Sequence, residues 1–494
     1  MAGSCKVAVG GGGGDDRLSD LPDGILEHVL SFLPAADAVR SSVLSRRWLR
    51  VWTHAPALNL SDEHLQYRFL GFAREVLARY GAPDIPALNV TIGCESNLGP
   101  DTAAWLRDAM ERVVESISVT VTAPGPLEQL TLPRGLRAKS ITLGLSGISF
   151  QHDPLVLPEP GAPTAFGSLT ELSLSRVRLQ ERVRSLGEFL SSCCPGLRKL
   201  HLSKWCIYTE VEISAPRLEV VSWSGYLPKH LSFLNGTQCI RWLSGLCFYL
   251  PGKECRSTSA VRLLEMCSSV NYLSVCIDIP DSTTPSMLTQ EELKHVLQLP
   301  NIRVLSLQLV AILRFISCPI APIVFSFLRR CPNLTRLHID LSMLHQFSRL
   351  DPEYLMDNDE TEVKKPWQST DCNLWKACRD QLQQSSLREI RISGFMGTDR
   401  EMELADVLFG VGAARPALER ISISLLPQLR QGMDGSPVCG VGATSLAFRR
   451  MSMSFPQLVR HMDSIGVKMK AQFPLVGGYW ETIPRKELMW TRTC

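Results

Sequence analysis

Apolar positions along the chain follow two different rhythms. Between residues 18 and 52 they recur at helical spacing: Ile25, Leu26, Val29, Leu30 and Leu33 form one set, and Pro34 ends it. Pro22 suits the first position of that helix, with Asp20 or Leu21 as cap, because proline's missing N–H and fixed φ cost nothing there. A second short helix is expected with Asp37 as N-cap, carrying Val39 and Val43, and a third from near Ser45, carrying Trp48, Leu49 and Trp52. Three helices in about 35 residues have too little core to stand alone, so the unit needs a partner surface.

From about residue 84 the spacing becomes apolar-x-x-apolar-x-apolar. It occurs at Ile85/Leu88/Val90, Val114/Ile117/Val119, Leu169/Leu172/Leu174, Leu197/Leu200/Leu202, Leu218/Val221/Trp223, Val270/Leu273/Val275, Ile302/Leu305/Leu307, Leu334/Leu337/Ile339, Leu387/Ile390/Ile392 and Leu418/Ile421/Ile423. Pro195, Pro216, Pro300, Pro332 and Pro416 each stand two residues before a leading apolar residue, where a loop turns into a strand. Neighbouring units mostly lie 21 to 32 residues apart, a stretched form of the leucine-rich repeat, which runs at about 20–29. The wider gaps, 218 to 270 and 334 to 387, imply insertions or degenerate repeats, with Ile240/Leu243 as a candidate marker of one. Amphipathic pieces lie between the strands, as in Trp105/Ala109/Val113 and Leu186 to Leu190. Strand, loop and helix in repetition bury a shared core only by stacking, which predicts an α/β solenoid: parallel strands on a concave face, helices and loops on the convex one.

Strand side chains alternate, so the residues flanking the inward leucines line the concave face. They are Lys199, His201 and Ser203, then Ser222 and Ser224, then Ser306 and Gln308. Arg336, His338 and Asp340 follow, then Glu389, Arg391 and Ser393, then Arg420, Ser422 and Ser424. This polar, mixed stripe reads as a surface for recognising a protein rather than a pocket for chemistry. His201, Arg336, His338 and Arg391 are its candidate substrate-binding residues, through directed hydrogen bonds.

Composition narrows the picture further. The 494 residues are 45% hydrophobic and 20% charged, enough for a sizeable core, and 52 basic against 49 acidic residues leave a net charge of +3. That balance argues against a dedicated nucleic-acid binder. No stretch is long and apolar enough for a membrane helix, and Met1 to Gly14 lacks the apolar core of a secretory signal. Sixteen scattered cysteines in apolar settings are expected to be free thiols in a reducing compartment, the cytoplasm or the nucleus. Catalytic motifs are absent: no Gly-x-Ser-x-Gly, His-Glu-x-x-His, Cys-x-x-Cys pair or dinucleotide fingerprint occurs. The nearest approach to a metal site is Cys193, Cys194, His201 and Cys206, but alternation turns His201 away from Leu200 and Leu202, so these side chains are not expected to converge. No catalytic residue, metal or other cofactor is expected.

The stretch Arg17 to Trp52 resembles the F-box in Leu21-Pro22-Asp23, Ile25-Leu26, Val29-Leu30-Ser31-Phe32-Leu33, Val39-Arg40, Ser42 to Ser45, Arg46-Arg47-Trp48 and Leu49-x-x-Trp52. The later repeats resemble those of plant, especially cereal, F-box/leucine-rich-repeat proteins. Leu387 to Asp399, with Glu401 and Glu403, is similar to the FBD segment of many of them. Five consecutive glycines mark residues 1–15 as a disordered leader, and acidic composition marks an exposed loop at 351–370. With the resemblance, 16–55 is expected as the F-box, 56–83 as a connecting segment, 84–371 as the solenoid containing that loop, 372–425 as FBD-like last repeats and 426–494 as a cap or tail. The resemblance implies a non-catalytic substrate receptor of a Skp-cullin-F-box ubiquitin ligase. The Skp-type adaptor, and through it the cullin, would be met through Leu21, Pro22, Ile25, Leu26, Leu30, Val39, Leu44 and Trp48. The target would be an unidentified protein, with neither nucleic acid nor membrane as partner. The alternative is an adaptor-binding or scaffold protein without a role in degradation.

Overall fold

The computed structural model describes residues 18, 20–63, 65, 68–93, 99–122, 130–133, 135–145, 155–157, 166–177, 184–205, 210–225, 227, 230–235, 237–249, 257–279, 298–311, 320–342, 386–395, 401, 404–405, 408, 418–425, 478–483 and 487–492. The leader, the acidic loop at 351–370, Cys206 and most of the tail lie outside them. The chain divides into two compact units, residues 1–158 with 165–169, and residues 159–164 with 170–494.

The first unit opens with three helices, α1 (Asp23–Leu30), α2 (Ala35–Arg40) and α3 (Trp48–Val51), the last running into a 3-10 turn, Trp52–His54. Pro22 sits just outside α1, as its N-cap residue, rather than at its first position. Pro34 caps α2 in turn, so that helix begins two residues before Asp37, which instead lies in its first turn and pairs with Arg40 at 2.8 Å. Arg47 ties the unit together by donating to the Asp23 carboxylate at 2.5 Å and to the Leu21 carbonyl.

Segment 56–83 is more than a connector, because it forms β1 (Ala57–Ser61) and α4 (Phe69–Arg79). Leu58 and Leu60 are buried, and Asn59 donates to the carbonyls of Ser31 and Leu33 at 2.7 and 2.9 Å. The Tyr80 hydroxyl donates to the Ala55 carbonyl at 2.9 Å. The helical unit therefore also draws support from its own chain. Then follow β2 (Ile85–Ile92), α5 (Pro100–Glu111), β3 (Val113–Val121), β4 (Leu130–Thr131), β5 (Ser140–Leu145) and β6 (Leu155–Val156). β1, β2, β3 and β5 pair in parallel, and β4 with β6 makes a separate short ladder. In β3 the inward residue is Val113, with Val114 only half-buried, because the ladder shifts register between Ile85 and Ala87.

The second unit holds β7 (Glu171–Ser175), α6 (Arg184–Cys193), β8 (Lys199–Trp205), β9 (Glu210–Ser214), β10 (Val220–Gly225), β11 (His230–Asn235), β12 (Trp242–Tyr249), α7 (Ser257–Met266), β13 (Tyr272–Ile279), β14 (Val304–Ala311), α8 (Ile320–Leu328), β15 (Arg336–Asp340), β16 (Glu389–Phe395), β17 (Arg420–Leu425), β18 (Gly478–Ile483) and β19 (Glu487–Arg492). β7-β8-β10-β12-β13-β14-β15-β16-β17 pair in parallel in that order. β19 joins β17 antiparallel, followed by β18, so residues of the tail cover the last parallel edge, the part of a sheet otherwise open to pairing with another chain.

Four of the repeats enter their strands through the same proline-containing turn. The N–H groups of Leu197, Leu218, Ile302 and Leu334 donate to the carbonyls three residues back, at 3.1 to 3.3 Å. The prolines at 195, 216, 300 and 332 occupy the second turn position, which their fixed φ favours. Leu200, Leu202, Leu305, Leu307, Leu337 and Ile339 are all buried, as the spacing predicts, and Ile240 with Leu243 does mark a further repeat.

Candidate functional site

Two surfaces stand out, one in each unit. On α1 the apolar residues occupy both sides of the helix. Leu26 and Leu30 turn inward, at 1% and 3% exposure, against a core that includes Ala35, Ala38, Val51 and Trp52. Ile25, Val29 and Leu33 point to solvent, joined by Phe32 at 72% and Val43 at 87% exposure, with Leu18, Leu44 and Leu49 also exposed. The His28 and Phe32 rings meet edge to face at 4.9 Å. Isolated exposed apolar residues are ordinary, but this many on one short helical unit mark an interaction surface.

Of the eight residues expected to meet an adaptor, Pro22, Ile25 and Leu44 are exposed and Leu21, Val39 and Trp48 are half-buried. Leu26 and Leu30 are corrected: they are core, because a small helical unit can bury only one side of its first helix. The spacing missed Val29, Phe32, Leu33, Val43 and Leu49 as surface residues. The signal was present as two i, i+4 series, Ile25/Val29 and Leu26/Leu30, which must face different directions.

The second surface is the outward face of the parallel sheet in the second unit. Register sets its side chains in rows across the strands, with Ser173, His201 and Ser222 side by side, and Ser306, His338, Arg391 and Ser422 likewise. Arg336, Arg391 and Arg420 are exposed, while Glu389 and Asp340 are recessed. Arg336 pairs with Glu389 at 3.5 Å, and an Asp340 carboxylate oxygen accepts from the Ser342 N–H at 2.9 Å and from its hydroxyl. Burial, with Arg391 and Arg336 adding to it, holds the His338 imidazole below its usual range, although Glu389 pulls it upward. Burial lowers His201 too, with Glu171 opposing and its carboxylate 4.0 Å away. Both imidazoles are therefore biased toward the neutral form. His338 and Arg391 are lateral neighbours beside Arg336, whereas His201 lies on β8, among different neighbours. Ser422 is buried, so the stripe is not open along its whole length.

The row nearest the strand entrances holds residues that the alternation argument passed over. Val220, Trp242, Tyr272 and Val304 stand side by side on four successive strands, all outward, with Trp242 41% exposed. The Trp242 and Tyr272 rings stack at 3.4 Å with an 11° tilt. Trp242 opens its strand only two residues after Ile240, so the marker of the degenerate repeat also located this outward ring.

Cys193 and Cys194 are buried, at and just after the end of α6, while His201 lies on the outward face between buried Leu200 and Leu202. Burial pushes Cys267 and Cys331 up to about 12 and Cys194 higher still, so these thiols stay protonated. Among the described residues no three His, Cys, Asp or Glu side chains gather as a metal site, and no helix is long and apolar enough to cross a membrane.

Comparison with known proteins agrees with the two-part reading. The F-box domain family matches residues 18–56, and the family described as "FBD-associated F-box protein At5g56370, LRR repeats" matches residues 102–339. Among curated relatives from Arabidopsis thaliana, the putative F-box/LRR-repeat protein At5g02700 is 38% identical over 22% of each chain. F-box protein At5g03100 is 29% identical over 42% of this chain and 66% of its own. F-box/FBD/LRR-repeat protein At5g56420 is 27% identical over 57% of this chain and 70% of its own. The chain thus spans between about a fifth and about two thirds of the length of the first of these relatives. Residues 18–56 are similar to F-box domains, and residues 102–339 to the leucine-rich repeats of an FBD-associated F-box protein.

Proposed function

We propose that this protein is the substrate-recognition subunit of a Skp-cullin-F-box ubiquitin-protein ligase, acting in the cytoplasm or the nucleus. The observation that carries the reading is the exposed apolar side of the helical unit, Ile25, Val29, Phe32, Leu33, Val43, Leu44 and Leu49, in the segment that matches an F-box. F-box domains generally bind Skp-type adaptors, and an apolar surface of this kind gains stability when a partner removes it from water. Leu21, Val39 and Trp48 support that face from its half-buried margin, and Pro22 borders it. The outward sheet face, with Arg336, His338 and Arg391, binds the target. No residue of the chain does chemistry; the receptor raises the effective concentration of the target's lysines near a ubiquitin carrier held by the cullin.

Co-purification with the adaptor and cullin tests this. A Val29→Asp chain should lose adaptor affinity by about tenfold or more while keeping its unfolding midpoint, because the change places a charge on an exposed interface position. Leu26→Ala should instead lower stability by roughly 2–5 kcal/mol, as core truncations do. Undiminished adaptor binding by a folded Val29→Asp chain would sink the assignment. Adaptor binding without stabilisation of any captured protein on proteasome inhibition would point to a scaffold outside degradation.

A further inference from the structure

The outward face of the second unit carries an apolar row and a basic cluster in fixed register. Val220, Trp242, Tyr272 and Val304 span four adjacent strands, about 14 Å at the usual strand separation. Arg336 follows Val304 in the same row on the next strand, and Arg391 stands one strand further on, beside His338. The stacked Trp242 and Tyr272 rings form a rigid ledge with few rotamers left to lose, the property that makes such side chains binding anchors. The next outward positions carry small side chains, with Ser222 beside Ser244 and Ser274 beside Ser306. The charges beside the ledge are unequal in reach: Arg336 and Arg391 are exposed, while Asp340 is recessed and accepts from Ser342, and Glu389 is recessed and pairs with Arg336, whose guanidinium an incoming carboxylate would share.

We propose that this face takes an extended, acidic segment of a partner protein that carries an aromatic or branched apolar side chain. The apolar side chain would lie against Trp242 and Tyr272, and the carboxylates would pair with Arg336 and Arg391. Tyr272 and Arg336 are two strands apart, about 10 Å, and an extended chain rises about 3.3 Å per residue, so the first carboxylate falls about three positions from the anchor. The inference rests on the receptor reading, since it names the class of target that the sheet would select, but it can fail separately.

The test is fluorescence anisotropy on the full chain with a labelled peptide, Gly-Ser-Trp-Gly-Ser-Glu-Glu-Gly, and its Trp→Ser, Glu→Gln and Glu→Lys versions. The parent peptide should bind saturably below about 1 mM, and each altered peptide should bind about tenfold or more weakly. Added salt should weaken the parent and leave the Glu→Gln peptide nearly unaffected, because only the former depends on charge. Trp242→Ser and the double variant Arg336→Gln/Arg391→Gln, checked for an unchanged unfolding midpoint, should each cost the parent peptide a similar factor. The peptide changes test the idea on the unaltered protein. Equal binding of the Trp→Ser peptide, which would mean a general anion surface, overturns the proposal, and so does a parent peptide that does not saturate. Loss of peptide binding with adaptor capture intact rejects this inference alone; peptide binding without adaptor capture rejects the receptor reading alone.

Discussion

At the scale of single residues, the informative groups are those held away from their ordinary state. His338 faces Arg336 and Asp340 on its own strand, Glu389 and Arg391 on β16, and Ser306 and Gln308 on β14. Burial first, then the two guanidiniums, keep it neutral, so in the free chain it resists protonation. The unfolded chain takes up that proton near 6.5 and the folded chain only below it, so this group's contribution to stability is fully present above 6.5 and is lost progressively as pH falls from there through the lower value of the folded chain. A bound carboxylate reverses the local balance by favouring the imidazolium. Affinity for the acidic peptide should therefore rise about threefold between about pH 7.5 and about pH 5.5, and His338→Gln should flatten that rise. A pH-independent affinity in the unaltered chain would mean that the ligand does not approach His338. Such detail was only half legible in the sequence. Alternation put His338 and Arg391 on the outward face, but which side of α1 was buried, and that Trp242 and Tyr272 stack, depended on packing and register that spacing alone does not encode.

Individual elements were legible wherever the repeat kept large side chains at all three marker positions. β1 and β5 escaped because their leading inward residues are Ala55 and Ala138, too small to count in a pattern of large apolar residues, although both are buried. β12 was blurred for another reason: its third marker position is Gly245, at φ +77°, where the register shifts and Leu246 takes the inward place. β16 has the same device at Gly394, φ +74°, where an added Cβ would run into the backbone of Ser342. Gly394→Ala should thus destabilise the second unit by about 2 kcal/mol or more, combining left-handed strain with backbone overlap. Gly71→Ala, in α4 with open space around it, should instead be neutral or stabilise by up to about 1 kcal/mol. Urea unfolding of the two variants checks the contrast. A Gly394→Ala chain as stable as the parent would show that β16 reaches Phe395 by some route other than this kink.

For the molecule as a whole, the exposed apolar side chains of the helical segment belong to the first compact unit and the ledge with its arginines to the second. The two surfaces lie in different compact units, so the effects of substitutions on binding are expected to add rather than couple. That independence makes the receptor reading testable in cells without knowing the target beforehand. A chain carrying Val29→Asp should still hold its target but no longer deliver it to the ligase, so a protein captured with it and then identified should live longer when this variant is abundant. The unaltered chain, equally abundant, should shorten that protein's lifetime, because tethering converts an encounter between target lysine and ubiquitin carrier into an intramolecular one, at effective concentrations on the order of millimolar for short flexible links. Adding Trp242→Ser to Val29→Asp should remove the protection along with the capture, which ties the lifetime effect to the sheet face rather than to competition for the adaptor. If the Val29→Asp chain captures the protein yet leaves its lifetime unchanged, and the unaltered chain does the same, the two surfaces serve a scaffold and not a ligase.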